Sequence, residues 1–169
     1  MHPQDYSRRI AYRPPAAWYR RISNRLGVVL TSLGLAPRDA VTLTVRGRRS
    51  GKPRRVPVLK TPYQGDDYLV ALAGESEWVR NLRAAQGRAV IRRRSACPVY
   101  LVEISVDDRP AVISAYLVRA AERSGPAAAA QAARYYFGLT ARPSLDEIRA
   151  VARYYPVFRV TFRPERPAA

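Results

Sequence analysis

The chain has 169 residues, 47% hydrophobic and 25% charged, a balance that suits one globular domain around one core and excludes a disordered or fibrous protein. Thirty Lys and Arg against 13 Asp and Glu give a net charge of +17, which favours anionic partners such as nucleic acid, acidic lipid or a phosphorylated cofactor. One cysteine, Cys97, and one histidine, His2, exclude an internal disulfide, a metal cluster and a Ser-His-Asp triad. With no signal peptide and no apolar run near the roughly 20 residues that span a bilayer, a cytoplasmic protein is expected.

Residues 1–15 are expected to form a flexible N-terminal segment and residues 16–169 a single domain. From Ala16 to Leu33, Trp18, Ile22, Leu26, Val29, Leu30 and Leu33 recur at helical spacing among Arg20, Arg21 and Arg25. That pattern predicts an amphipathic basic helix, which periodicity leaves free to pack on its own domain or to lie on the inner face of an anionic membrane. Ala40 to Arg46 alternates as a strand and is followed by a loop from Gly47 to Pro53. Arg55 to Thr61 and Asp67 to Ala73 predict two more strands around a turn at Pro62 to Asp66.

Ser76 to Ala85 predicts a helix with Ser76 as N-cap and Gly87 as its stop. Strands are expected at Arg88 to Arg93 and Val99 to Val106, with Pro98 breaking the ladder between them. Asp107, Asp108 and Pro110 open a helix that carries Val112, Tyr116 and Leu117; Ala127 to Phe137 and Ser144 to Ala152 predict two more. Pro156 to Arg163 closes the series as a strand. Hairpins with segregated helices imply an α+β fold, most simply a small barrel of about six mostly antiparallel strands with flanking helices.

In Arg46-Gly47-Arg48-Arg49-Ser50-Gly51-Lys52-Pro53-Arg54-Arg55, six of ten residues are cationic and two are glycines. Amides freed at a glycine turn, a serine hydroxyl and converging guanidinium groups are what a phosphate or polycarboxylate needs. The same run also reads as a solvated basic hairpin. The glycine and lysine spacing is not that of a P-loop, and a strand follows it rather than a helix.

The succession of a strand, GRRSGKPR, VPV, YLVALAG and WVRNLRAA, from about Val41 to Arg93, resembles the deazaflavin-dependent nitroreductase and quinone reductase family. The resemblance implies a split β-barrel that binds coenzyme F-420, with FMN the less favoured cofactor, and transfers hydride to a hydrophobic quinone-like or nitroaromatic acceptor. Arg48, Arg49, Ser50, Gly51, Lys52 and Arg54 match the family loop that holds the cofactor's phosphate and glutamyl tail, and Pro57 matches the proline after it. Val70, Ala71, Leu72 and Ala73 match the strand beside the deazaflavin ring; Trp78 and Asn81, with Leu82, match the helix beyond. Ser76, Tyr135 and Tyr136 are implied as donors that orient the acceptor. No residue is assigned to catalysis itself and none to a metal, because the cofactor carries hydride chemistry. Split barrels of this type also imply a homodimer.

Trp78 serves as well in the core, Asn81 as well on a solvent face, and each tyrosine as well in packing. In Gly74-Glu75-Ser76-Glu77 the chain is shorter than the family pattern, and its two carboxylates would repel an anionic cofactor. That departure leaves open a non-catalytic barrel holding a lipid or another hydrophobic ligand, in peripheral contact with a membrane. Nucleic acid is the weakest partner, since no aromatic residues interleave the arginine runs Arg46 to Arg55 and Arg92 to Arg94.

Overall fold

The computed structural model describes Ile10 and residues 38–162. The expected amphipathic helix at Ala16 to Leu33 and, Ile10 apart, the N-terminal segment 1–15 lie outside the described residues. Six strands, β1 (Ala40–Arg46), β2 (Pro53–Tyr63), β3 (Asp66–Val70), β4 (Arg88–Arg92), β5 (Ala96–Glu103) and β6 (Val157–Thr161), close a barrel in the order β1-β2-β3-β6-β5-β4. Every pairing is antiparallel. The helices are α1 (Glu77–Ala84), α2 (Arg109–Ser124), α3 (Pro126–Ala132) and α4 (Leu145–Ala152). The architecture is the expected α+β split barrel.

Side chains alternate along each strand, and β2, β3 and β6 thereby serve two cores. Leu43, Val45, Leu69, Val99, Leu101 and Phe158 point into the barrel, where Val79 and Leu82 of α1 meet them. Tyr68, Val70 and Val157 point outward from the same sheet, into a second cluster with Val112, Ile113 and Tyr116 of α2 and Ile148 of α4. Ile10 joins this second cluster. Thus α1 covers one opening of the barrel, while α2 to α4 form a layer on its outer face.

The β2–β3 turn needs two left-handed residues, Gln64 (φ 49°) and Gly65 (φ 86°), and Tyr63 pairs with Asp66 across them. Such a turn follows the natural twist of the two strands. It is tighter than the expected Pro62 to Asp66 connection, so β2 runs on to Tyr63. β3 stops at Val70 instead of Ala73: the Ala71 amide still donates to the Pro156 carbonyl (2.9 Å), but Pro156 has no amide to return the bond, and Gly74 turns back onto the Ala71 carbonyl (2.8 Å).

Pro98 does not break the ladder: it sits within β5 opposite Val90. Among the described residues β6 pairs only with Tyr100 to Glu103, so no described strand loses a ladder bond to the missing amide of Pro98. β5 ends at Glu103 because Ser105 starts a turn, its carbonyl and hydroxyl both accepting from the Asp108 amide. The expected helix Ala127 to Phe137 is α3 running into one π-helical turn, Ala133–Phe137, closed by Gly138 at φ 68°. A full capping box between Ser144 and Glu147 opens α4, whereas Ser76 and Asp108 occupy N-cap positions without side-chain caps.

Candidate functional site

The loop between β1 and β2 is closed by two bonds, Gly47 N to the Lys52 carbonyl (2.9 Å) and Gly51 N to the Gly47 carbonyl (2.8 Å). Both glycines are required. A Cβ on Gly47 would stand 3.0 Å from both the Lys52 carbonyl and Ser50 Oγ, and Gly51 has φ +66°. The closure leaves Arg49, Ser50, Lys52 and Arg54 exposed. Among the described residues no carboxylate pairs with Arg49, Lys52 or Arg54 within ion-pair distance.

Arg48 behaves differently from its neighbours. Its backbone amide (3.2 Å) and Nη1 (2.9 Å) both donate to Oδ1 of Asn81, in the second turn of α1. Nη1 also donates to Glu77 at 2.7 Å. The hydrogen bond from Arg48 holds the Glu77 carboxyl below its ordinary range, and the same bond raises the Arg48 guanidinium. Asn81 is 5% exposed, so it is no solvent-facing residue; the loop is fastened through it to the helix that covers the barrel.

The carboxylates expected to repel an anionic cofactor have partners. Glu77 also pairs with Arg80 (2.8 Å), and Glu75 takes a two-pronged bond from Arg83 (2.7 and 2.8 Å). Arg83 grips Glu103 as well (2.7 and 2.9 Å), and these two carboxylates raise its guanidinium. Arg109, 8% exposed, completes the chain by donating to Glu103 (3.0 Å) and to the Arg153 carbonyl (3.4 Å). Apart from Glu77–Arg80, spaced three apart on α1, the sequence carried no sign of this network, whose members come from the turn before α1, α1, β5 and α2.

The other expected site residues fall into two groups. Pro57 sits in β2 opposite Thr42, Val70 ends β3, and Ala71, Leu72 and Ala73 form the connection toward α1. Trp78 lies in the first turn of α1 with its ring 5.5 Å from Phe158, partly buried on the barrel core. Ser76 just precedes Glu77, and its hydroxyl oxygen is buried without a hydrogen-bond partner. Tyr135 and Tyr136 belong instead to the helical layer. They stand edge to face on the π-helical turn, ring centroids 5.0 Å apart, and Tyr136 packs on the cluster that also receives Leu72. Tyr155, 1% exposed, fixes that turn by donating its hydroxyl to the Tyr136 carbonyl at 2.6 Å.

These residues fit an anionic ring cofactor. Open cations lie on a glycine-closed loop, an unanswered buried hydroxyl stands at the uncapped start of α1, and the first amides of that helix have no intrahelical partner. No group of three or more metal-binding side chains occurs among the described residues, and no helix among them is long and apolar enough to cross a membrane.

Comparison with known proteins adds the family. Residues 11–124 match the family described as F420H(2)-dependent quinone reductase. Similar solved structures include one described as a domain-swapped dimer, 20% identical, with a TM-score of 0.49 over 87% of this chain and 99% of that one. Another is an F420-H2 dependent reductase (FDR-A), 22% identical, with a TM-score of 0.44 over 73% of this chain and 94% of that one. No curated protein matches. Because the family match runs through β1 to β5, the cationic loop and α1 to the end of α2, more than half of the chain, the protein belongs to the F420H(2)-dependent quinone reductases, oxidoreductases whose cofactor is the deazaflavin coenzyme F-420.

Proposed function

We propose that this reductase passes hydride to a flat, hydrophobic acceptor of the quinone or nitroaromatic class. Arg49, Ser50, Gly51, Lys52 and Arg54 would hold the anionic part of F-420, and Ala71 to Ala73, Trp78 and Asn81 would flank its ring. The observation that carries this reading is the contrast on one rim: Arg48 is ion-paired to Glu77, while Arg49, Lys52 and Arg54 beside it are exposed and have no carboxylate within ion-pair distance among the described residues. Uncompensated guanidinium groups on a preordered loop bind phosphate and carboxylate through charge-assisted hydrogen bonds.

When bound, reduced F-420 supplies a hydride. The protein's part is to bind, orient and exclude water. Ser76 Oγ, buried and without a partner, is suited to donate to an oxygen placed at the start of α1. Tyr135 and Tyr136, from the helical layer, offer an aromatic wall against which a ring acceptor would rest. The ion pairs of Glu75 and Glu77 remove the repulsion that favoured a non-catalytic lipid binder.

Fluorescence titration with F-420, with FMN as the contrasting flavin, tests the first step. Mixing the reduced complex with a naphthoquinone or a nitroimidazole tests the second. Micromolar or tighter F-420 binding followed by acceptor-dependent reoxidation is expected. Tight binding with no reoxidation by either acceptor class would sink the acceptor assignment, and FMN binding in preference to F-420 would sink the assignment of this loop.

A further inference from the structure

We infer that Arg48, although it lies in the middle of the cationic loop, is a positioning residue, and that Asn81 is its seat. The inference rests on the F-420 reading and refines it.

Two donors of one residue, the Arg48 amide and Nη1, converge on a single oxygen, Asn81 Oδ1. An amide aimed into α1 is withdrawn from any ligand. The guanidinium reaches Glu77 as well, a carboxylate it shares with Arg80, and is thereby tied to α1 at a second point. Asn81 stands in α1 between Val79 and Leu82, both 0% exposed, which makes the seat as fixed as the barrel core. Gly47, directly before Arg48, closes the loop onto Lys52. One end of the loop is therefore pinned to a buried acceptor and the other to its own backbone. What remains free to meet an anion is the set that follows, Arg49, Lys52 and Arg54.

This arrangement depends on shape rather than charge. A planar guanidinium can bridge the Asn81 amide oxygen and the Glu77 carboxylate together, whereas the single ammonium of lysine meets them as a point charge. Arg48 then acts on the cofactor only through its neighbours. Preordering a loop strengthens binding by removing the entropy that binding would otherwise lose.

The test compares Arg48→Lys, Asn81→Leu and Arg49→Ala in the full chain. The readouts are F-420 affinity at several salt concentrations and hydrogen exchange of the ligand-free loop. Both Arg48→Lys and Asn81→Leu should speed exchange at the Arg48 amide and weaken F-420 binding roughly tenfold, the scale of a lost hydrogen bond to a charged group. The salt dependence of affinity should stay as in the parent protein, because no ligand-facing charge has gone. Arg49→Ala should weaken binding, flatten its salt dependence and leave loop exchange unchanged.

An Arg48→Lys variant that binds as the parent does would overturn the proposal, since charge alone would then suffice. So would an Asn81→Leu variant that binds normally despite faster exchange. If the parent protein fails to bind F-420, the cofactor assignment of the loop fails by itself. The same variants are then judged with inorganic pyrophosphate, where loss of binding in Arg48→Lys supports the positioning role and retained binding, or none by the parent, overturns it.

Discussion

The barrel rim and the outer helical layer are built on opposite principles. At the rim, Arg48, Glu77, Asn81, Glu75, Arg83 and Glu103 are joined by hydrogen bonds between charged or amide groups, most of them near water. In the helical layer, Tyr116, Phe137 and Tyr155 meet ring to ring, with centroids 6.2 Å apart for Tyr116 and Phe137 and 4.7 Å for Phe137 and Tyr155. Burial drives the Tyr116 hydroxyl up to about 12. Exposed ion pairs contribute little stability, whereas buried aromatic contacts dominate it. The rim therefore spends its interactions on geometry, and the helical layer supplies the rigidity that geometry requires.

The comparison breaks first if the layer proves dispensable. Tyr155→Ala removes a fully buried ring and its bond to the Tyr136 carbonyl. It should cost about 3–5 kcal/mol of stability in chemical denaturation, the usual scale for a large aromatic truncation. A loss below 1 kcal/mol would show that the layer does not support the barrel.

Gly87, which joins α1 to β4, comes next. Its φ is +77°, and a Cβ there would lie 2.7 Å from the Leu101 carbonyl oxygen, a backbone atom that cannot step aside. Gly87→Ala should destabilise by about 2–3 kcal/mol in the same assay, combining left-handed strain with a clash.

Arg54→Ala sharpens the contrast from the other side. Stability should change by less than about 0.5 kcal/mol, as at most surface positions. F-420 affinity should fall roughly tenfold, for the loss of one charge-assisted contact. Equal stability with unchanged affinity would remove Arg54 from the site.

The smallest effect is that of acid. The Glu77 carboxyl is depressed, so its bond to Arg48 contributes above the ordinary glutamate value of about 4.3 and is lost as pH falls through the lower, folded value. Protection of the Arg48 amide, corrected for intrinsic exchange, should thus decline as pH falls below about 4.3, while protection in the helical layer holds. Uniform loss in both regions would mean global unfolding instead of release of the rim.

Much of this was legible in the chain. Alternation in Ala40 to Arg46 and in the late strand around Phe158 marks strands, and the density of cations from Arg48 to Arg54 marks the loop proposed to hold an anion. The misreadings had local causes. Sequence does not show that the described β6 pairs no further along β5 than Tyr100, or that Pro156, which has no amide of its own, stands opposite Ala71. The acids Glu75 and Glu77 were judged as bare charges, since nothing in sequence reveals that Arg83 and Arg48 stand against them.

The sequence by itself determined the periodicities, the closed glycine loop and the family, because these depend on residues close along the chain. Only the tertiary structure decided that Arg48, and not Arg49, Lys52 or Arg54, is tied to a carboxylate. That choice depends on partners 29 and 33 residues away in Glu77 and Asn81, brought to Arg48 by a helix whose place is set by packing over the barrel. Charge is a property of composition. Which of those charges are paired is a property of the fold.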